Sequence, residues 1–246
     1  MKPKQPRTEK LEKHGPFISF LKWLLRIFIR PPLVSGMSLP ETPAIILANH
    51  KGAAGPLVLS LYFPKLFVPW GHYQMTEGYR RRFDYLYRVF YQQKLGKGKI
   101  ASFILATLFG LVSKLIYNGM RVIPSYPDLR LRKTLKISFA HLDSGNNVLV
   151  FPEDSRAGYR DVPTTYFGGF AILALEYYQK TGINVPIVPV HFSKQDGLIA
   201  IGESIPIKSL VDQGMGRKEI TAYFEQLAQS MFEEYVQSKK SNPIDT

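Results

Sequence analysis

Two short stretches place polar, chemically able side chains directly after apolar runs. His50 follows Ala44-Ile45-Ile46-Leu47-Ala48-Asn49, and Glu153, Asp154, Ser155 and Arg156 follow Val150-Phe151-Pro152. An imidazole exchanges protons near neutral pH, so His50 is either a general base or a hydrogen-bonded structural histidine. Adjacent carboxylates beside an arginine are costly to bury unpaired, so the second stretch either binds a substrate or forms a solvated, ion-paired loop. The other histidines, His14, His72, His141 and His191, show no paired spacing with acidic residues, and no metal site is expected. There is no cysteine, which removes thiol nucleophiles, disulfides and thiolate metal sites and is compatible with a reducing, intracellular compartment.

The elements that must position these residues follow from hydrophobic patterning. Residues 44–48 read as a short buried strand, 56–62 as a helix, 66–70 as a strand, 100–117 as a buried or membrane-dipping helix and 120–124 as a strand. Residues 129–142 form an amphipathic helix with Arg130, Arg132, Lys133 and Lys136 outward, and Gly145-Asn146-Asn147 turns the chain into a strand ending at Phe151. A helix over 170–180, a strand over 185–192 and a long terminal helix over 218–237 complete the pattern. The prolines of Val185-Pro186-Ile187-Val188-Pro189-Val190 suit an edge strand or a strand's beginning. Strands alternating with helices predict an α/β fold, a largely parallel sheet flanked by helices. At 246 residues and 45% hydrophobic, the chain supports one core, so residues 36–246 form a single domain preceded by a segment over 1–35.

The formal net charge of +13 is concentrated. Residues 1–31 carry eight Lys or Arg against two Glu, and residues 79–99 carry seven against one Asp. In the first segment Ser19, Lys22, Arg26 and Arg30 fall on one arc of a helix whose remaining surface is Phe17, Phe20, Leu21, Trp23, Leu24, Ile27 and Phe28. The three charges within the run argue against a bilayer span. The pattern predicts an N-terminal amphipathic membrane-surface helix, with Trp23, Arg26 and Arg30 in contact; the alternative is a core-docking helix with a solvated basic edge. Residues 79–99 read as a basic, aromatic insertion outside the core. Arg80, Arg81, Arg82 and Arg88 would face anionic head groups, or a solvated helix would serve no contact at all. Lys94, Lys97 and Lys99, set among Gly96 and Gly98, form a loop suited to a phosphorylated acyl carrier. Nucleic acid is the weaker alternative for such charge, because no zinc spacing, helix-turn-helix pattern or ribonucleoprotein aromatic motif accompanies it.

Taken in order, Asn49-His50, Gly119 to Ser125, Phe151 to Arg156 and Val185 to Val190 resemble the blocks of the lysophospholipid (glycerolipid) acyltransferase family, over about residues 44–192. The resemblance implies acyl transfer from a thioester, acyl-CoA or an acyl carrier protein, to a lysophospholipid or glycerolipid-like hydroxyl. No bound cofactor is expected, and the expected location is the cytoplasmic face of an anionic membrane. It implies His50 as general base and a substrate-binding set of Asn49, Arg121, Ser125, Glu153, Ser155 and Arg156, the arginine suited to a phosphate. Two positions depart from the family pattern. Gly55 stands where the family's aspartate orients the histidine, and Ser125 where its second block has arginine, with Arg121 the nearest cation. Because Asp154 stands where the family has glycine, the expectation is that Asp154 or Glu153 reaches His50 as a substitute catalytic carboxylate. The alternatives are an unassisted, slower His50 and an inactive protein that keeps the lipid-binding cleft.

Overall fold

A computed structural model describes residues 7–156, 158–159 and 165–241; Lys2 and Lys4 of the basic N-terminal segment lie outside them. The chain begins with α1 (Pro16–Phe28), β1 (Leu33–Gly36), β2 (Ile45–Ala48), α2 (Ala54–Tyr62) and β3 (Phe67–His72). A 3-10 turn (Tyr73–Thr76), α3 (Tyr79–Asp84) and a π-helix (Tyr85–Lys94) lead into α4 (Lys99–Gly119). Then come β4 (Ile123–Ser125), α5 (Leu131–Asp143), β5 (Asn147–Val150), α6 (Gly169–Thr181), β6 (Pro186–Ser193), β7 (Leu198–Ile201), β8 (Ile205–Pro206), α7 (Ile207–Asp212) and α8 (Arg217–Ser241).

The strands form one sheet in the order β1-β7-β6-β2-β5-β3-β4, with β8 beside the start of β6. Strands β6, β2, β5, β3 and β4 are mutually parallel, β7 and β8 pair antiparallel with β6, and β1 runs parallel to β7. All four residues of β2 are buried because both sheet faces are covered. Ile45 and Leu47 join Val148, Val150, Phe170 and Phe224 in one cluster, while Ile46 and Ala48 join Leu59, Leu149 and Val188 in the other. That split is the two-residue alternation of a strand.

The proline-bracketed strand sits centrally rather than at an edge, while Pro186 does stand at its beginning, the other expected position. β6 pairs with β2 on one side and with β8 and then β7 on the other. Gly202 donates its backbone N–H to Pro189 O, so the Pro189 backbone faces the β7/β8 side. There β8 pairs with residues 186–187 and β7 with residues 190–193. The missing N–H of Pro189 falls in the gap between them and costs no ladder bond.

Two helices are turned the opposite way from an ordinary core helix. In α4 the inward face is small, with Ser102, Ala106, Gly110 and Ser113 buried, while Ile100, Phe103, Ile104, Leu108, Leu111 and Leu115 are each more than half exposed. Of the two expectations for this run, burial is excluded. In α1, Ser19 bonds His14 O, Lys22 is half-buried, and Arg26 donates to Leu61 O at 2.5 Å, so the polar stripe rests on the protein. Phe20, Trp23, Ile27 and Phe28 point outward, and Ile18 is the buried residue of the helix. Arg26 thus anchors α1 to α2 while remaining exposed, as Trp23 and Arg30 are.

The segment 79–99 is also not an appendage. Tyr85 and Leu86 of the π-helix pack with Met75 and Ala106 in a third apolar cluster. Arg82, expected to face head groups, is 4% exposed and donates to Glu77 O and Gly110 O. Arg81 pairs with Glu77 at 2.8 Å, and Arg80 and Arg88 are exposed.

Candidate active site

Because β2 and β5 run parallel with Ile45 opposite Val148 and Leu47 opposite Val150, they end side by side. The residues just beyond those ends meet: Glu153 Oε2 accepts the backbone N–H of His50 at 2.8 Å. The chain then turns through Lys51 (φ 42°) and Gly52 (φ 65°), both left-handed, into α2. The imidazole lies between Phe151 and Tyr159, each with ring centroids 4.7 Å away, and is stacked on Tyr159 at 20°. Burial lowers the His50 pKa to about 4; the Gly52 backbone opposes this and the charge of Lys94 adds to it. The ring is therefore neutral at pH 7. Its Nδ1 is buried without a hydrogen-bond partner among the described residues.

Neither substitute carboxylate orients the ring. Glu153 holds the His50 backbone, and burial raises its pKa against the opposing effects of that N–H and of Lys51. Asp154 grips Arg156 through both Nε and Nη2, at 3.0 and 2.6 Å, which holds the Asp154 carboxyl below its usual range. Arg156 is turned outward, 79% exposed, over the Phe167 ring. The expected catalytic Asp154 and phosphate-binding Arg156 are thus each other's partners.

Gly55 is more than a missing carboxylate. It opens α2 so close to the preceding turn that a Cβ there would lie 2.3 Å from His50 O and 3.0 Å from Asn49 O. This backbone has no room for the family's aspartate. Asn49, expected to bind substrate, is fully engaged instead: Nδ2 donates to Phe192 O at 2.9 Å and Oδ1 accepts the Phe192 N–H at 2.7 Å. It locks the end of β2 to β6.

The remaining predicted residues separate. Arg121, at φ 54°, precedes β4 and donates to Glu9 O at 2.6 Å, at the sheet edge where strands begin. His50 lies at the edge where they end, so Arg121 is outside the site. Ser125 is at the same edge as His50 but on β4, three strands from β2, or about 14 Å at ~4.8 Å per strand. Ser155 does join the site, accepting a 2.7 Å bond from Lys94 Nζ.

Three residues outside the expected catalytic and substrate-binding sets complete the cluster, Lys94 having been expected only as part of a loop for a phosphorylated acyl carrier. Lys94, at the end of the π-helix, stands over the Tyr159 ring with Nζ 5.4 Å from its centroid. His72 ends β3, stacks on Tyr85 at 4.2 Å, and has its pKa lowered to about 4 by burial and then by Lys94. The strand-end position that singled out His50 also applies to His72; nothing local marked Tyr159. π-Helical turns are rare and recur at functional sites. Among the described residues, no group of three or more His, Asp or Glu is placed to hold a metal ion. The arrangement can take a proton at one buried neutral imidazole, with an ammonium close by. Comparison with protein-family models and with curated proteins found no match to this chain.

Proposed function

We propose that this chain is a membrane-surface acyltransferase of the lysophospholipid type, acting at the cytoplasmic face of a membrane. The acceptor hydroxyl loses its proton to His50 and attacks the thioester carbonyl of acyl-CoA or an acyl carrier protein. A C–O bond forms, the C–S bond breaks, and the proton passes to the departing thiolate. The observation that carries the reading is the convergence of His50 and Glu153 across 103 residues of sequence onto adjacent strand ends, around a buried neutral imidazole. The outward apolar faces of α1 and α4, rimmed by exposed Arg30, Arg80 and Arg88, support work on a lipid surface.

A second reading, a lipid-surface protein without the reaction, is favoured by a His50 Nδ1 without a partner among the described residues and by a backbone that excludes a carboxylate at position 55. Acyl transfer from a labelled thioester to a panel of lysolipids in mixed micelles separates the two. Transfer by the wild type that is lost in His50→Ala supports the enzyme. Full activity in His50→Ala, or no transfer alongside intact liposome binding, removes it.

A further inference from the structure

The cations that the acyltransferase resemblance would give to phosphate binding are placed elsewhere. Arg121 is at the opposite sheet edge, and Arg156 is neutralised by Asp154. The charge of Lys51, next to His50 in the chain, acts on Glu153 and His191. Among the described residues, Lys94 is the cation whose charge acts on the His50 imidazole. Its Nζ is 2.7 Å from Ser155 Oγ and 5.4 Å from the centre of the Tyr159 ring that stacks on His50. The Asp154 charge also acts on Lys94, but that carboxylate is held by Arg156 at 2.6 Å; an ammonium has three donors, and one hydroxyl plus a ring face leaves capacity for an incoming anion. The half-buried position strengthens any such contact relative to a solvated lysine.

We infer that Lys94, with Ser155, forms a phosphate-binding subsite next to His50, supplied by the π-helix rather than by the strand ends, so that one of the two substrates is held there by a phosphate group. This rests on the acyl-transfer reading for its consequence but not for its binding. The phosphate belongs either to the acceptor lipid or to the pantetheine arm of the donor.

The test compares wild type, Lys94→Met and Lys94→Arg, all checked for fold by circular dichroism. Transfer is measured to lysophosphatidate and to monoacylglycerol, from acyl-CoA and from an acyl thioester of N-acetylcysteamine, which has no phosphate. Lys94→Met is expected to cut the preference for the phosphorylated member of one pair by about 10- to 100-fold, and Lys94→Arg to retain most of it. The affected pair names the source. An equal effect on phosphorylated and unphosphorylated substrates overturns the subsite. If the wild type transfers nothing, calorimetric titration with lysophosphatidate and coenzyme A decides: binding lost in Lys94→Met keeps the subsite without the reaction, and binding equal to wild type, or absent from both proteins, overturns it.

Discussion

His50 and Asn49 are neighbours in sequence with opposite fates, decided by what each side chain meets. The Asn49 amide closes both of its bonds on Phe192, so truncation strands a buried backbone N–H and C=O. Asn49→Ala is expected to cost about 2–6 kcal/mol, at 1–3 kcal/mol for each of the two stranded groups, measured by urea unfolding; a loss below 1 kcal/mol would show the lock to be dispensable. His50 makes no such bond at Nδ1, and His50→Ala should remove activity with far less effect on stability. Position 55 provides a sharper contrast. If its glycine were merely a lost carboxylate, Gly55→Asp would improve the site. With a Cβ 2.3 Å from His50 O, the substitution is instead expected to destabilise by about 1–3 kcal/mol or more and to lower activity. Increased transfer by Gly55→Asp would refute the steric account. The sequence marked His50 and Glu153 because both sit at strand ends, a local signal. It did not mark Gly55 as crowded, since crowding depends on how tightly the chain turns back.

Helix α4 reads from sequence as an apolar run without a clear face, and its packing assigns one. Small residues at spacings of four, four and three turn inward from Ser102 to Ser113, leaving the large side chains outside. Substitutions on the two faces should therefore act on different observables. Leu108→Glu with Leu111→Glu is expected to abolish sedimentation with anionic liposomes while leaving the thermal midpoint within a few degrees. Unchanged liposome binding would sink the lipid-facing assignment. Gly110→Leu, whose Cβ would already be 3.2 Å from the Tyr79 ring, should destabilise by about 1–3 kcal/mol. Helix α1 carries the same logic with charge. Its basic stripe was visible by helical spacing, but the bond from Arg26 to the Leu61 carbonyl depends on where α2 lies and was not.

Across the whole molecule all five histidines, His14, His50, His72, His141 and His191, are held neutral, each with its pKa lowered from 6.5 to about 4, chiefly by burial. In the unfolded chain they protonate as pH falls below about 6.5, while in the fold they resist until about 4. The unfolded state binds more protons in that window, so stability is full above pH 6.5 and falls progressively toward pH 4. Thermal melts at pH 7.5, 6.0 and 5.0 should show a steadily lower midpoint; a flat profile would contradict the burial of these rings. Asp128 and Asp154, lowered by Arg130 and Arg156, add loss in the same direction at more acidic pH.

What the sequence determined alone was the alternation of strand and helix, the parallel sheet that alternation requires, the strand ends bearing His50 and Glu153, and the two basic segments. All of these follow from local hydrophobic periodicity and composition, which one stretch of chain carries by itself. The tertiary structure decided the central place of β6, the pairing of Asp154 with Arg156, the displacement of Arg121 to the far edge, the outward faces of α1 and α4, and the arrival of Lys94 beside His50. Each of these depends on which distant segment lies across from a residue, and sheet order and helix rotation set that through packing that no single stretch of sequence contains.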